Sequence, residues 1–387
     1  MYITSAEQLE DFCEKLQSSE FLAVDTEFVR EKTYFHRVGL IQVATSQHCA
    51  AIDPISLPDL TPLLELIKDP GKIKIFHAAR QDLEILVRLC GQVTPPVFDT
   101  QVAAAMVGWG AQISFAKIVH KALGKKIHKS ETYTDWCRRP LSKNQIEYAI
   151  DDVRYLVPVY KKLVGRLENM NRLEWVRGEV VAWEDPQTFA LPDPRKRFLK
   201  IKNLRSLKPR NLTVLQELTA WREKEAVKRD CLPKAIVRDE TLLEIARKIP
   251  RDLKLLSGFR GFYQKELGRS GAAILSAIEK AMEVPKENLT VLPESNGHST
   301  TRGVEELLSA YVQIRSEELK IEPTILADRK RIHSFVTHFE QKLDMEDHPL
   351  FRGWRKEFIG APMLALLSGK VGLKVDVSGQ VCLTESS

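Results

Sequence analysis

The β-branched, strand-like runs of this chain are confined to its first half. FLAVDTEFV (21–29), VGLIQVAT (38–45), CAAID (49–53) and KIKIFHA (72–78) are such runs, and beyond residue 190 nothing comparable occurs until the last few residues. Short runs of this kind bounded by turn residues read as strands, and helical patterns follow them, beginning near Gln81, Ser114 and Ser142. Hairpin-like strands leading into strand and helix alternation specify an α/β unit, a mixed sheet flanked by helices. The remainder must be helical. With 387 residues, 43% hydrophobic and 28% charged, the chain has ordinary globular composition and room for two or three domains, each with its own core.

Residues 1–190 therefore read as the α/β domain. LPDPRKRFLKIKNLRSLKPR (191–210) carries three prolines and reads as an exposed basic linker. Helical patterns in NLTVLQELTAWREKEAVKRD, DETLLEIARKIP, DLKLLSGF and SGAAILSAIEKAMEVP form a small all-α domain over 211–287. A polar, turn-rich linker (288–303) separates it from a second, divergent helical domain (304–372) with a similar order of helix, proline and helix. Residues 373–387 read as a frayed tail.

The net charge of +6 is modest, but its distribution is uneven. From Arg195 to Arg210 there are eight basic residues and no acidic ones, a stretch that prefers a polyanion. Trp221 and Phe262 could stack on bases, although their helical spacing favours core positions. The six cysteines are scattered, with no C-x-x-C pair, and read as reduced thiols of a cytoplasmic protein. The first residues lack a secretory leader pattern, and no apolar run reaches the roughly 18 residues a membrane span requires, so no membrane association is expected.

Carboxylates occupy positions where apolar residues belong. In FLAVDTEFV the side chains alternate, so Asp25 and Glu27 share one face. At about 5 Å and an effective dielectric near 20, two such charges repel by roughly 3 kcal/mol, a cost that a proton or a cation would offset. On the helix after KIKIFHA, Asp82 falls mid-stripe, with Ile85, Leu86, Leu89 and Cys90 within about 80° on either side. Farther on, Ser142 and Gln145 form a capping-box pattern that starts another helix. Its apolar face carries Asp152 with Tyr148 one turn earlier, while Asp151 lies toward Glu147 and Arg154. Four carboxylates on core-like faces of three elements are hard to explain without a cation. Oxygen-only ligation favours magnesium or manganese over zinc, and a pair of such ions suits in-line attack at a phosphodiester.

At these residues the sequence resembles the DEDD exonucleases and, more narrowly, the ribonuclease D family. VDTEF followed by FVREKTYFHRVGLIQVA matches the first motif, FHAARQDLEIL the second, and YAIDD the tyrosine form of the third. FDTQVAA (98–104) and KSETYTDWCRRPL (129–141) resemble ribonuclease D rather than a generic member of the superfamily, and LPKAIVRDETLLEIARKIP resembles the helicase-and-ribonuclease-D C-terminal domain. The resemblance implies a ribonuclease H-like mixed sheet flanked by helices, followed by two small all-α helical domains.

It also implies a 3′–5′ exoribonuclease that releases nucleoside 5′-monophosphates from RNA with a free 3′ end, tRNA precursors included, working as a monomer. Asp25, Glu27, Asp82 and Asp152 match the metal-binding carboxylates for two Mg2+ or Mn2+ ions, Asp25, Glu27 and Asp152 on the first and Asp25 alone reaching the second. Asp82 would act mainly through metal-bound water, and Tyr148 matches the residue that orients the attacking water. His77 reads as a satisfied structural histidine, while Phe28 and Gln42 flank the expected cleft. Two rival readings stay open here, a DNA-directed exonuclease of the same superfamily and a non-catalytic RNA-binding protein on a nuclease scaffold. The complete carboxylate set disfavours the second, and only the ribonuclease D-like flanks disfavour the first.

Overall fold

A computed structural model of the protein describes residues 1–92, 95–127, 134–261, 264–292, 301–379 and 381–385. Phe262, residues 129–133 of the KSETYTDWCRRPL segment and residues 293–300 of the second linker lie outside the described residues. The chain opens with β1 (Tyr2–Ile3), α1 (Ala6–Leu16), β2 (Phe21–Val29), β3 (Arg37–Ala44) and β4 (Cys49–Ile52). There follow α2 (Thr61–Lys68), β5 (Ile73–Phe76), α3 (Arg80–Cys90), β6 (Val97–Asp99), α4 (Thr100–Met106), α5 (Phe115–Leu123), α6 (Lys143–Arg154), α7 (Leu156–Asn169) and α8 (Leu173–Val180). The sheet has the order β1-β4-β3-β2-β5-β6. It is mixed, since β3 and β4 pair antiparallel whereas β1 with β4, β2 with β5 and β5 with β6 pair parallel.

Strand alternation loads both faces of this sheet. Leu22, Val24, Ile41, Val43 and Ile52 pack under Leu9, Phe12, Leu63 and Leu83 of α1, α2 and α3. On the opposite face Ala23, Ala44 and Ile75 meet Val153, Leu156 and Val159, while Leu40 and Ala51 meet Ala149 and Ile150. Each fully buried aliphatic side chain contributes about 1.5–3 kcal/mol, so the two layers fix the register of β2 and β3.

The chain forms two compact units, one of Met1–Glu27, Val38–Phe189 and Gly297–Ser387, the other of Phe28–Arg37 and Ala190–Asn296. The second unit holds α9 (Pro209–Lys228), α10 (Pro233–Ile236), α11 (Asp239–Lys248), α12 (Leu253–Ser257) and α13 (Gln264–Glu283). Its core joins Leu215, Leu218, Leu242, Ile245, Ile274 and Ile278, with Trp221 packed half-buried against it. Tyr34, from the segment between β2 and β3, is buried in the same core and donates its hydroxyl to Glu223 at 2.6 Å.

The basic stretch 191–210, expected as an exposed linker, is instead built into this unit. Phe198, Ile201, Leu204 and Leu207 recur every three residues or so and are buried against α9 and its neighbours. Arg195 pairs with Glu217 at 2.6 Å and Arg197 with Glu223 at 3.0 Å. Arg210 donates to the carbonyls of Ala281 (2.8 Å) and Val284 (2.7 Å) at the end of α13. Lys196, Lys200, Lys202, Arg205 and Lys208 remain exposed, with no ion-pair partner among the described residues. The sequence pattern was dominated by proline and charge, which hid the apolar residues between them.

The C-terminal part comprises α14 (Thr301–Leu319), α15 (Pro323–Leu326), α16 (Arg329–Glu340), α17 (Ala361–Leu367), β7 (Val371–Val375) and β8 (Val381–Glu385). Its Leu308, Tyr311, Phe335 and Met363 share one core with Leu156, Val159 and Leu163 of α7. Trp354 stacks on Trp175 of α8 with ring centroids 4.6 Å apart and planes 7° apart. The Trp354 indole N–H donates to Glu179 at 3.1 Å, and the Arg355 guanidinium also binds that carboxylate. Among the described residues the segment read as a frayed tail is paired instead. VGLKV and VCLTE pair as an antiparallel hairpin, turned where Asp376 accepts from the Ser378 N–H at 2.8 Å.

The described part of the segment leading into α6 is clamped to the sheet. Arg139 forks onto Asp53, donating from Nε to Oδ2 at 2.7 Å and from Nη2 to Oδ1 at 2.6 Å, and Asp53 is fully buried at the end of β4. Against the upward pull of burial, these bonds and the Tyr2 hydroxyl hold the Asp53 carboxyl well below the usual range. Arg139 also donates to the Gly39 carbonyl at 2.6 Å and the Trp136 carbonyl at 2.8 Å. A Cβ at Gly39 would stand 2.3 Å from the Trp136 oxygen, so only glycine lets the segment lie this close. Removing one partner strands the other, so Arg139→Ala should lower unfolding stability by about 3 kcal/mol. Denaturant unfolding measures this, and a loss under about 1 kcal/mol, ordinary for an exposed pair, would contradict the clamp.

Candidate active site

Alternation along β2 sends Thr26 to the α3 side and Asp25 and Glu27 to the side covered by α6. One carboxylate oxygen each from Asp25, Glu27 and Asp152 lie within 4.8 Å of one another. Asp82 is not in that trio. It is buried in the first turn of α3, where the Thr26 hydroxyl donates to it. Asp151 points elsewhere and pairs with Arg154 at 2.7 Å. The helix wheel had separated Asp152 from Asp151 in this sense, because α6 buries Ala149, Ile150 and Val153.

Such a cluster is costly when every member is charged. Burial first, and then the neighbouring Asp82 charge, raises the Asp25 carboxyl well above its ordinary range. Burial, with Asp25, Asp152 and Asp82 adding to it, pushes Glu27 up to about 9. Burial pushes Asp82 up to about 7 despite the opposing Thr26 hydrogen bond. Burial and the Asp152, Glu27 and Asp25 charges also push the Tyr148 phenol upward, so it stays a neutral hydrogen-bonding group. Oxygen donors at this spacing, each disfavoured as a bare anion, fit a hard divalent cation.

Local structure holds each group in place. The capping box is formed, Gln145 N–H donating to Ser142 Oγ at 3.2 Å and Ser142 N–H to Gln145 Oε1 at 2.7 Å, which fixes the first turn of α6. Trp136, 4% exposed, lies against the Tyr148 ring with centroids 6.2 Å apart. Asp99, fully buried, accepts from the N–H groups of Gln101 (2.6 Å) and Val102 (3.0 Å) to cap α4. Its other oxygen accepts from Ala79 N–H at 2.7 Å, where α3 begins. One aspartate thus orients the helix that carries Asp82. In the sequence Asp99 stands out only as part of FDTQVAA, where D-T-Q after a short apolar run is a cap signal.

The cluster opens into a cleft of about 310 Å³ lined by Asp25, His77, Gln101, Phe115, Tyr148 and Asp152, among others. His77 has its ring nitrogens on Thr100 Oγ1 (2.9 Å) and the Ile113 carbonyl (3.1 Å), consistent with a structural histidine at the rim. Phe28 belongs to the other compact unit, where its ring meets His36 at 4.6 Å. Among the described residues, no helix is long and apolar enough to cross a membrane.

Comparison with known proteins agrees with this chemistry. Residues 1–168 match a 3′–5′ exonuclease family and residues 211–278 match the HRDC domain family. The chain is 37% identical over 378 residues to ribonuclease D of Granulibacter bethesdensis, covering 97% of this chain and 94% of that protein. It is likewise 37% identical over 377 residues to ribonuclease D of Gluconacetobacter diazotrophicus, covering 97% and 94%. The crystal structure of Escherichia coli RNase D, described as an exoribonuclease involved in structured RNA processing, superposes with a TM-score of 0.83 at 32% identity, covering 95% of this chain and 98% of that one. Near full-length identity at this level, on the same α/β and helical architecture, shows that the chain belongs to the ribonuclease D family of 3′–5′ exoribonucleases.

Proposed function

We propose that the protein removes single nucleotides from RNA 3′ ends by metal-dependent hydrolysis, that Asp25, Glu27, Asp82 and Asp152 hold the metal, and that Tyr148 aims the attacking water. The convergence of the Asp25, Glu27 and Asp152 oxygens within 4.8 Å, in a cleft that Tyr148 also lines, carries this reading. A bound Mg2+ or Mn2+, and more so a pair, supplies charge neutralisation at the scissile phosphate and a more acidic water. The chain's own residues do the rest. Asp25, Glu27 and Asp152 bind from the sheet and from α6, while Asp82, turned toward Thr26, acts at one remove through water. The neutral Tyr148 hydroxyl, one turn before Asp152, orients the nucleophile. Phe115 lines the same cleft, where an aromatic ring would stack on the terminal base in a manner tolerant of sequence.

The exposed Lys196, Lys200, Lys202, Arg205 and Lys208 supply phosphate contacts that carry affinity without base readout. Precursor tRNA is the natural substrate class on this reading, and the protein acts as a cytoplasmic monomer. Its domain plan is an exonuclease domain over 1–190, an HRDC domain over 211–287 with the basic stretch 191–210 packed onto it, a linker over 288–303 and a divergent helical domain over 304–372 followed by the closing hairpin. Incubating the protein with 5′-labelled single-stranded RNA bearing a free 3′-hydroxyl tests the reaction. A ladder that shortens from the 3′ end with Mg2+ or Mn2+ and stops with chelator is expected. RNA binding without shortening under either metal would instead favour a non-catalytic scaffold.

Charge neutralisation at the phosphate outweighs aiming of the water. Asp25→Asn should therefore reduce kcat by about 1000-fold or more, and Tyr148→Phe by about 100-fold. Single-turnover rates at saturating metal measure both, and equal activity in the two variants would count against the assignment.

The raised carboxylates also set a pH dependence for the metal-free fold. Below about pH 4 they are protonated folded and unfolded alike, so charging the site costs nothing there. Above that the unfolded chain loses its protons first, and the penalty on the folded state grows until pH passes the raised Glu27 value of about 9. In chelator Glu27→Gln should melt above the wild type by a margin that widens from pH 5 to pH 9. A margin that is constant or shrinks would show that the cluster is not under this strain.

A further inference from the structure

Gln42 lies in β3, fully buried, and neither its Oε1 nor its Nε2 has a hydrogen-bond partner. Among the described residues it is the only buried side-chain amide in that condition. A primary amide offers two donors and an acceptor with two lone pairs, and burying them unmet carries the full desolvation cost. Packing does not account for an amide at this position. The residues on its face of the strand and opposite it, Leu40, Ala44 and Ala51, are apolar, and leucine or methionine would fill a similar volume without the polar cost.

Its position points to a use. Ile41 and Val43 face α1, α2 and α3, so Gln42 faces the other way. On that side its cross-strand partner Ala51 packs with Trp136, Ala149 and Ile150, and Tyr148 lies against the same group. The adjacent strand β2 sends Ala23, and hence Asp25 and Glu27, to this face. The amide therefore shares a sheet face with two of the carboxylates, on the next strand, beneath the helix that carries Tyr148 and Asp152. Carboxylates that ligate a metal are themselves held by hydrogen bonds from a surrounding layer of groups.

We propose that Gln42 is a positioning residue for the hydrolysis, its side-chain amide donating to a carboxylate of the cation-loaded cluster, directly or through one water. This rests on the metal-dependent reading above. Gln42→Leu and Gln42→Met remove the amide and keep the volume. In chelator both variants should melt at or above the wild-type temperature. Calorimetric titration with Mn2+ should show affinity weakened by about 10- to 100-fold, and kcat should fall with KM for RNA little changed. Wild-type Mn2+ affinity and kcat in both variants would overturn the proposal. A lower melting temperature of both in chelator would overturn it as well, since the amide would then serve the metal-free fold. If the wild type itself binds no Mn2+, the metal-dependent reading falls and takes this proposal with it, whereas wild-type binding with unaffected variants removes the role of Gln42 alone.

Discussion

The repulsion among carboxylates that share one partly buried site is the constraint around which this structure is arranged. Asp25, Glu27 and Asp152 bring oxygens within 4.8 Å, and Asp82 adds its charge from the next helix. In water such groups would separate. Here the strand, the sheet register and the capped α6 prevent it; burial, with the Asp25, Asp152 and Asp82 charges adding to it, raises the Glu27 carboxyl, and burial raises that of Asp82. Oxygen donors held in this way fit a hard cation, because a divalent ion turns the unfavourable term into a favourable one.

Much of what keeps the carboxylates together is remote from them in sequence. Two apolar layers fix which face Asp25 and Glu27 occupy. Asp99 ties the start of α3 to that of α4, so Asp82 cannot drift. Arg139, forked on the buried Asp53, presses the segment before α6 onto β3 at Gly39 and leaves Trp136 against Tyr148. The C-terminal helices join the core of α7 and lock α8 through Trp175 and Glu179. The precision of the site thus depends on buried polar contacts that do no chemistry themselves.

Local periodicity made much of this legible in the sequence. Alternation in FLAVDTEFV placed Asp25 and Glu27 on one face, the wheel separated Asp152 from Asp151, and the S-x-x-Q pattern marked the start of α6. What escaped was carried by contacts between distant residues or by patterns too short to be periodic. Asp53 and Arg139 are 86 residues apart, and neither shows a local sign of the other. The apolar residues Phe198, Ile201, Leu204 and Leu207 were masked by the basic residues between them, so a packed segment read as a linker. The closing hairpin is two five-residue strands, VGLKV and VCLTE, too short for their alternation to distinguish a paired hairpin from a frayed tail. That residues 28–37 join the helical unit is a tertiary fact with no signal in the loop itself.

The central claim is that cations replace protons in the carboxylate cluster, and proton release on binding tests it most directly. Mn2+ would be titrated calorimetrically into the metal-free protein at neutral pH in two buffers of different ionisation heat. The account predicts saturable binding with release of about one proton or more per protein, because raised carboxyls must ionise to ligate. Binding with no buffer-dependent heat, or no binding at all, would contradict it.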